Sequence, residues 1–201
     1  MDRGDWDERY AGEELVWRAD PNRFLVSEVA DLAPGRALDV ACGEGRNAVW
    51  LATQGWTVTG VDFSAVALDK ARRLAADRGV TVEWVNADLR DWDPAPESYD
   101  LVVVLYLHLP AEQRRAVHAR AASTLARGGT ILVVGHDLAN LAGGHGGPQD
   151  PAVLFTPADV AADLADLADL DLVRAESVRR PVTTDAGEVV AIDALVRAVR
   201  R

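Results

Sequence analysis

The chain has 201 residues, 49% of them apolar, and a formal net charge of −11. Its length supports one well-cored domain, and no apolar run approaches the ~20 residues of a membrane span. The acidic balance, with Lys70 as the one lysine, argues against nucleic acid, whose binding rests on phosphate neutralisation by basic side chains.

The start, MDRGDWDERY, is charged and lacks the apolar stretch of a signal peptide. Cys42 has no second cysteine to pair with, so a reducing cytoplasm is the expected compartment, with no membrane association. A short helical stretch from Asp5 to Trp17 opens the chain, and residues 1–34 form a segment ahead of a core spanning 35–201. RALDVA (36–41) reads as the first strand, and RNAVWLATQG (46–55) as a helix closed by Gly55. WTVTGVD (56–62) is the second strand, and Ser64 is a suitable N-cap for a helix ending at Gly79. VTVEWV (80–85) alternates like a third strand. YDLVVVLYL (99–107) is nearly all apolar, as a central strand covered on both faces should be. A helix beginning at Pro110 is stopped by Gly128-Gly129, and TILVVGH (130–136) is the fifth strand. Residues 137–155, rich in glycine, read as a long loop on the acceptor side of the sheet that sets substrate choice. Thr156 and Asp159 form a weak capping box for a helix over 158–169. The runs 170–182 and 188–200 flank a turn, TTDAG, and pair antiparallel at the sheet edge. Strands alternating with helices predict an α/β fold built on a parallel sheet.

The stretch RALDVACGEGRNAVWLATQGWTVTGVDFS carries the chemistry. Gly43-Glu44-Gly45-Arg46-Asn47-Ala48 fits G-x-G-x-x-A after a strand and before a helix, with Asp62 at the end of the next strand. Glycines there let a ligand approach the backbone, and an acid at the second strand end accepts ribose hydroxyls. That pattern serves a nicotinamide dinucleotide and S-adenosylmethionine equally. Asp39, four residues before Gly43, disfavours a pyrophosphate and suits an ammonium and a sulfonium. Asp88, in NADLRDW, is placed to accept from an adenine amino group. No Tyr-x-x-x-Lys pair exists for short-chain dehydrogenase chemistry.

LDVACGEGRNA, VTGVDFS, NADLRDW, YDLVVVLYLHLP and LARGGTILVV resemble, in order, the successive motifs of class I S-adenosylmethionine-dependent methyltransferases. WDERY and PNRFL resemble the leading segments of the small tellurite-resistance and thiopurine-type members. The resemblance implies a Rossmann-like seven-stranded sheet, order 3-2-1-4-5-7-6, the last strand antiparallel, with helices on both faces. It also implies that Ala41, Cys42, Gly43, Glu44 and Gly45 wrap the methionyl part, with Asn47 nearby. Asp39 reaches its ammonium, and Asp62 holds the ribose hydroxyls beside Phe63 and Ser64. Ala87, Asp88 and Leu89 frame the adenine, and Leu105 and Tyr106 lie near the sulfonium. Trp6, Tyr10, Trp17 and Phe24 suit a lid over cofactor and acceptor.

Methyl transfer needs alignment and dryness more than a covalent nucleophile, and it needs a general base only where the acceptor is protonated. The candidate bases are His108 and His136, at the ends of the fourth and fifth strands. No metal-ligand spacing is present. The expected function is methyl transfer from S-adenosylmethionine to a small-molecule acceptor through oxygen, sulfur, nitrogen or a chalcogen, leaving S-adenosylhomocysteine, by a monomer or homodimer. The competing readings are a nicotinamide-dependent oxidoreductase and a cofactor-binding protein without catalysis.

Overall fold

The structure is a computed structural model that describes residues 3–17, 19–92, 94–165, 167, 169–185 and 187–201. Two helices lead, α1 (Arg3–Tyr10) and α2 (Arg23–Glu28). The core follows as β1 (Arg36–Val40), α3 (Arg46–Thr53), β2 (Thr57–Asp62), α4 (Ala65–Asp77), β3 (Glu83–Asn86) and β4 (Tyr99–Leu105). It continues as α5 (Ala111–Ser123), β5 (Leu125–His136), α6 (Asn140–Gly143), α7 (Pro157–Ala165), β6 (Leu170–Thr184) and β7 (Gly187–Arg200).

The strands form one seven-stranded sheet in the order β3-β2-β1-β4-β5-β7-β6, as the resemblance implies. β1 to β5 pair in parallel, while β7 runs antiparallel to both β5 and β6. The period-2 rule sorts the central side chains. Val102 and Val104 of β4, with Ile131 and Val133 of β5, pack under α5 and α7 against Val117, Ala121, Val160 and Leu164. Leu101, Val103, Leu132 and Val134 point the other way, against Leu25, Ala48 and Leu51 of α2 and α3. Each such fully buried side chain contributes roughly 1.5–3 kcal/mol. This two-sided burial explains why β4 and β5 read as continuous apolar runs.

Several boundaries differ from expectation. α1 ends at Tyr10, not Trp17, because the N–H groups of Val16 and Trp17 are drawn away to the Glu44 carboxylate at 3.0 and 3.1 Å. α2 is an additional helix, capped by Asn22, whose Oδ1 accepts from Phe24 and Leu25 N–H. α5 stops at Ser123 rather than at the glycine pair. The Thr124 carbonyl takes the N–H groups of Ser98 and Tyr99, and Leu125 is fully buried, so the chain joins the sheet early. Gly128-Gly129 instead makes the return within β5, where pairing with β4 slips between Tyr99 and Leu101. The third strand is short, and the helix expected over 158–169 is described to Ala165, with Asp166 and Ala168 outside the described residues. Segment 137–155 contains α6 and is tied down. Asn140 donates to the Gly146 carbonyl and accepts from Ile192 N–H, and Asp137 accepts from Ala139 N–H and Ser177 Oγ. Among the described residues, no helix is long and apolar enough to cross a membrane.

Candidate active site

β1 and β4 end side by side at the centre of the sheet, and the turn after β1 stands over that junction. Three of its five residues take left-handed backbone: Ala41 (φ 57°), Gly43 (53°) and Gly45 (79°). A side chain at Gly45 would meet Trp84 Cη2 at 2.6 Å and Ala71 Cβ at 2.7 Å, so both conformation and space demand glycine. The curl aims the turn at Asp62. One carboxylate oxygen accepts the Gly43 N–H at 2.8 Å and the other accepts the Ser64 N–H at 2.9 Å. Asp62 is buried, which pushes its acid strength down despite these bonds.

Asp39 lies below the same turn and is 1% exposed. Burial raises its pKa from 3.8 to about 7, against a backbone hydrogen bond from Ala48 in the first turn of α3, with nearby Asp62 raising it further. Its Oδ2 is buried with no hydrogen-bond partner among the described residues. Such a group costs free energy unless something outside the described chain supplies a donor. Cys42 is buried and its thiol is pushed up by that burial, so it fills space rather than acting as a nucleophile.

Phe63 lies under the Arg3 guanidinium, 5.9 Å from ring centroid, and Asn86 donates to the Asp62 and Phe63 carbonyls, fixing the turn after β2. The Ala87 N–H bonds the Asp62 carbonyl. Asp88 accepts from Arg90 side chain and backbone, which hold it down to about 2. Leu89 is buried beside it. Leu105 is buried at the end of β4, and Tyr106 follows with φ 58°, turning its hydroxyl toward Asp193, to which it donates at 2.9 Å.

Other expected ligand residues bond the leading segment. Both Glu44 oxygens are taken, by Val16 N–H, Trp17 N–H and Lys70 Nζ, the last a buried ion pair at 3.0 Å. Lys70 also donates to the Glu14 carbonyl. Asn47 Oδ1 accepts Asn22 N–H at 2.8 Å. Ser64 caps α4 through Ala67 N–H and donates to Asp7 of α1. These bonds lay the leading segment on the glycine turn. Tyr10 is buried against Gly43, Trp6 stacks on Tyr10 at 5.4 Å, and Arg9 lies over Trp6 and Trp17. Phe24 packs elsewhere, on the core under α2. Glu44 and Lys70 were missed as a pair because they lie 26 residues apart.

The candidate bases part company. His108 Nε2 accepts the His136 backbone N–H at 3.0 Å, and burial pushes its pKa down to about 4. The lone pair a base needs is already engaged. His136 has no bond at Nε2 among the described residues, while Nδ1 faces Asp193 Oδ1 at 3.3 Å. Asp193 and Arg180, which lie beside it, were not singled out from the sequence, where they look like ordinary charges in two edge strands.

Residues 37–129 match the family model described as a methyltransferase domain. A ubiquinone biosynthesis O-methyltransferase of Klebsiella pneumoniae subsp. pneumoniae is 34% identical over 109 residues, 52% of this chain and 45% of that protein. A ribosomal RNA small subunit methyltransferase C of Alcanivorax borkumensis is 34% identical over 106 residues, 50% of this chain and 32% of that protein. The chain therefore spans less than half the length of these curated relatives. TehB from Haemophilus influenzae shares the fold, with a TM-score of 0.73 and 16% identity over 99% of this chain and 67% of that one. The matched residues, 37–129, run from β1 to the start of β5, so the central part of this sheet is similar to a methyltransferase domain.

Proposed function

We propose that this chain transfers a methyl group from S-adenosylmethionine to a small-molecule acceptor. The observation that carries the reading is the unpartnered, buried Asp39 Oδ2 beside Asp62 under the glycine turn. Two closely placed carboxylates make a seat for a cation and a poor one for a diphosphate. The ammonium of the cofactor would supply the donor that Asp39 lacks. Asp62, already fixed by two backbone N–H groups, would offer its remaining lone pairs to the ribose hydroxyls. Phe63, Ala87, Asp88 and Leu89 would border the adenine, and Leu105 and Tyr106 the sulfonium. When bound, the cofactor supplies a methyl already activated on a positively charged sulfur. What remains for the protein is alignment and exclusion of water, and the leading segment over the turn suits the second task.

A small acceptor is supported by the net charge of −11 and by the ubiquinone-pathway relative; the ribosomal RNA relative makes nucleic acid the alternative to test. The test is S-adenosylhomocysteine release across phenols, thiols, amines, chalcogen salts and ribosomal RNA. Turnover with a small molecule and none with RNA is the expected result. Turnover with RNA alone would overturn the reading.

A further inference from the structure

At the far end of β5 the sheet brings together side chains from four elements. His136 closes β5 and stands directly across from Asp193 of β7. Asp193 is fully buried. Its Oδ2 accepts two hydrogen bonds, from the Tyr106 hydroxyl at 2.9 Å and from Arg180 Nε of β6 at 2.7 Å. Among the described residues, its Oδ1 and His136 Nδ1 have no hydrogen-bond partner of good geometry, and they face one another at 3.3 Å. The Arg180 guanidinium also covers the Tyr106 ring at 5.6 Å. His136 is held flat between neighbours: His108 stacks on it at 5.5 Å, and Tyr106 meets it edge-on at 5.1 Å. Gly147 of the 137–155 segment lies so close that a Cβ there would sit 2.5 Å from the ring.

We propose that His136 is the general base of this methyltransferase, that Asp193 is its positioning residue, held in turn by Tyr106 and Arg180, and that the acceptor is a weakly acidic O–H or S–H compound. The inference rests on the methyltransferase reading and names its acceptor class. Hydrogen-bond arithmetic carries it. The two donors on Asp193 Oδ2 leave Oδ1 free to accept, so the imidazole presents Nδ1–H to it. The second nitrogen, Nε2, then carries the lone pair and has no partner among the described residues. His108 has the opposite arrangement, with Nε2 engaged by a backbone N–H. The groups that face His136 are Asp193, Arg180, Tyr106 and His108. Burial keeps the ring neutral near pH 7, against the pull of Asp193. β1, β4 and β5 are successive neighbours about 4.8 Å apart, which sets His136 about 10 Å from the strand that carries the glycine turn.

In the step itself, the acceptor proton moves to His136 Nε2. The electron pair freed on oxygen or sulfur forms the new bond to the methyl carbon, and the carbon–sulfur bond of the cofactor breaks with its pair retained by sulfur. The imidazolium, stabilised by Asp193, later returns its proton to water. An acceptor that is already an anion at neutral pH needs none of this apparatus.

The test uses the full chain at about pH 7, with 4-methylphenol and 2-mercaptoethanol, both protonated there, as acceptor probes and 15N-histidine NMR as a readout independent of turnover. In Asp193→Asn the amide oxygen is claimed by Tyr106 and Arg180, so the amide nitrogen faces His136 and forces the other tautomer. The expected results are an Nδ1–H imidazole at His136 in the wild type, Nε2–H in Asp193→Asn, and at least a hundredfold loss of kcat on the probes with KM nearly unchanged. His136→Gln, at a less buried position, should lose as much, while S-adenosylhomocysteine affinity stays within threefold in both variants. A wild-type Nε2–H tautomer, methylation of neither probe, or full turnover by His136→Gln overturns the proposal. Failure of the wild type to bind S-adenosylhomocysteine would instead overturn the methyltransferase reading.

Discussion

Replacing Asp39 with Asn should stabilise the ligand-free protein at alkaline pH, the reverse of what most changes to a buried polar residue do. The fold raises the Asp39 pKa from 3.8 to about 7, chiefly by burial. The folded state therefore prefers the protonated acid. The penalty is absent below pH 3.8, grows between 3.8 and about 7, and is complete above that. At about 1.4 kcal/mol per pH unit the ceiling is about 4 kcal/mol. Asparagine never ionises and keeps an oxygen for the Ala48 N–H, but its amide nitrogen sits unpaired where Oδ2 was, at a cost of about 1–3 kcal/mol. That cost does not vary with pH, so the difference between pH 8 and pH 5 isolates the charge. By linkage it amounts to about 2–3 kcal/mol, or roughly 5–10 °C in Tm for a chain of this size. Thermal melts of both proteins at the two pH values measure it. The Asn variant should gain on the wild type by that margin from pH 5 to pH 8. A Tm difference that is the same at both pH values would refute the argument that Asp39 is held as an uncompensated buried acid.

The leading segment should loosen when its latch is cut. Lys70→Met breaks a buried ion pair and the bond to the Glu14 carbonyl, costing about 3–5 kcal/mol, and should speed proteolysis within residues 11–17; an unchanged cleavage rate would count against the latch. Gly45→Ala should cost about 2–4 kcal/mol in urea unfolding, from left-handed strain plus the clash with Trp84 and Ala71, and a loss below 1 kcal/mol would contradict the geometry. Asp163 of α7 is buried between Arg114 and His118 of α5 at 2.7 and 3.0 Å. Asp163→Asn should lower unfolding stability by about 3–5 kcal/mol by leaving Arg114 buried without its partner, and a denaturation midpoint within error of the wild type would exclude that role.

The parts legible in the sequence are those set by short-range rules. The turn from Ala41 to Gly45 could be read because a left-handed backbone demands glycine at fixed spacing, and Asp62 because it closes the next strand after the turn and its helix. Alternation marked β3, and unbroken apolarity marked β4 as central. The end of α5 was misplaced because glycine is a strong stop signal, yet the burial of Leu125 ends the helix first. The proposed acceptor site was half legible. His136 stands at a strand end where chemistry is expected, but Asp193 lies 87 residues from Tyr106 and only the antiparallel β5–β7 register brings it to His136. The same holds for Glu44. Nothing local distinguishes a carboxylate that contacts ligand from one that anchors the leading segment, because both sit in the same turn. His108 and His136 likewise look equivalent until the structure shows whose nitrogen is already bonded.

Calorimetric titration of S-adenosylhomocysteine against the wild type, Asp62→Ala and Asp39→Asn, with NAD as the parallel ligand, tests the paired carboxylates under the glycine turn most directly. The prediction is a single site on the wild type, affinity weakened by about 2–4 kcal/mol in Asp62→Ala, a clear loss in Asp39→Asn, and no heat with NAD. Binding of NAD in preference to the sulfur nucleoside, or an affinity for S-adenosylhomocysteine indifferent to both carboxylates, would contradict it.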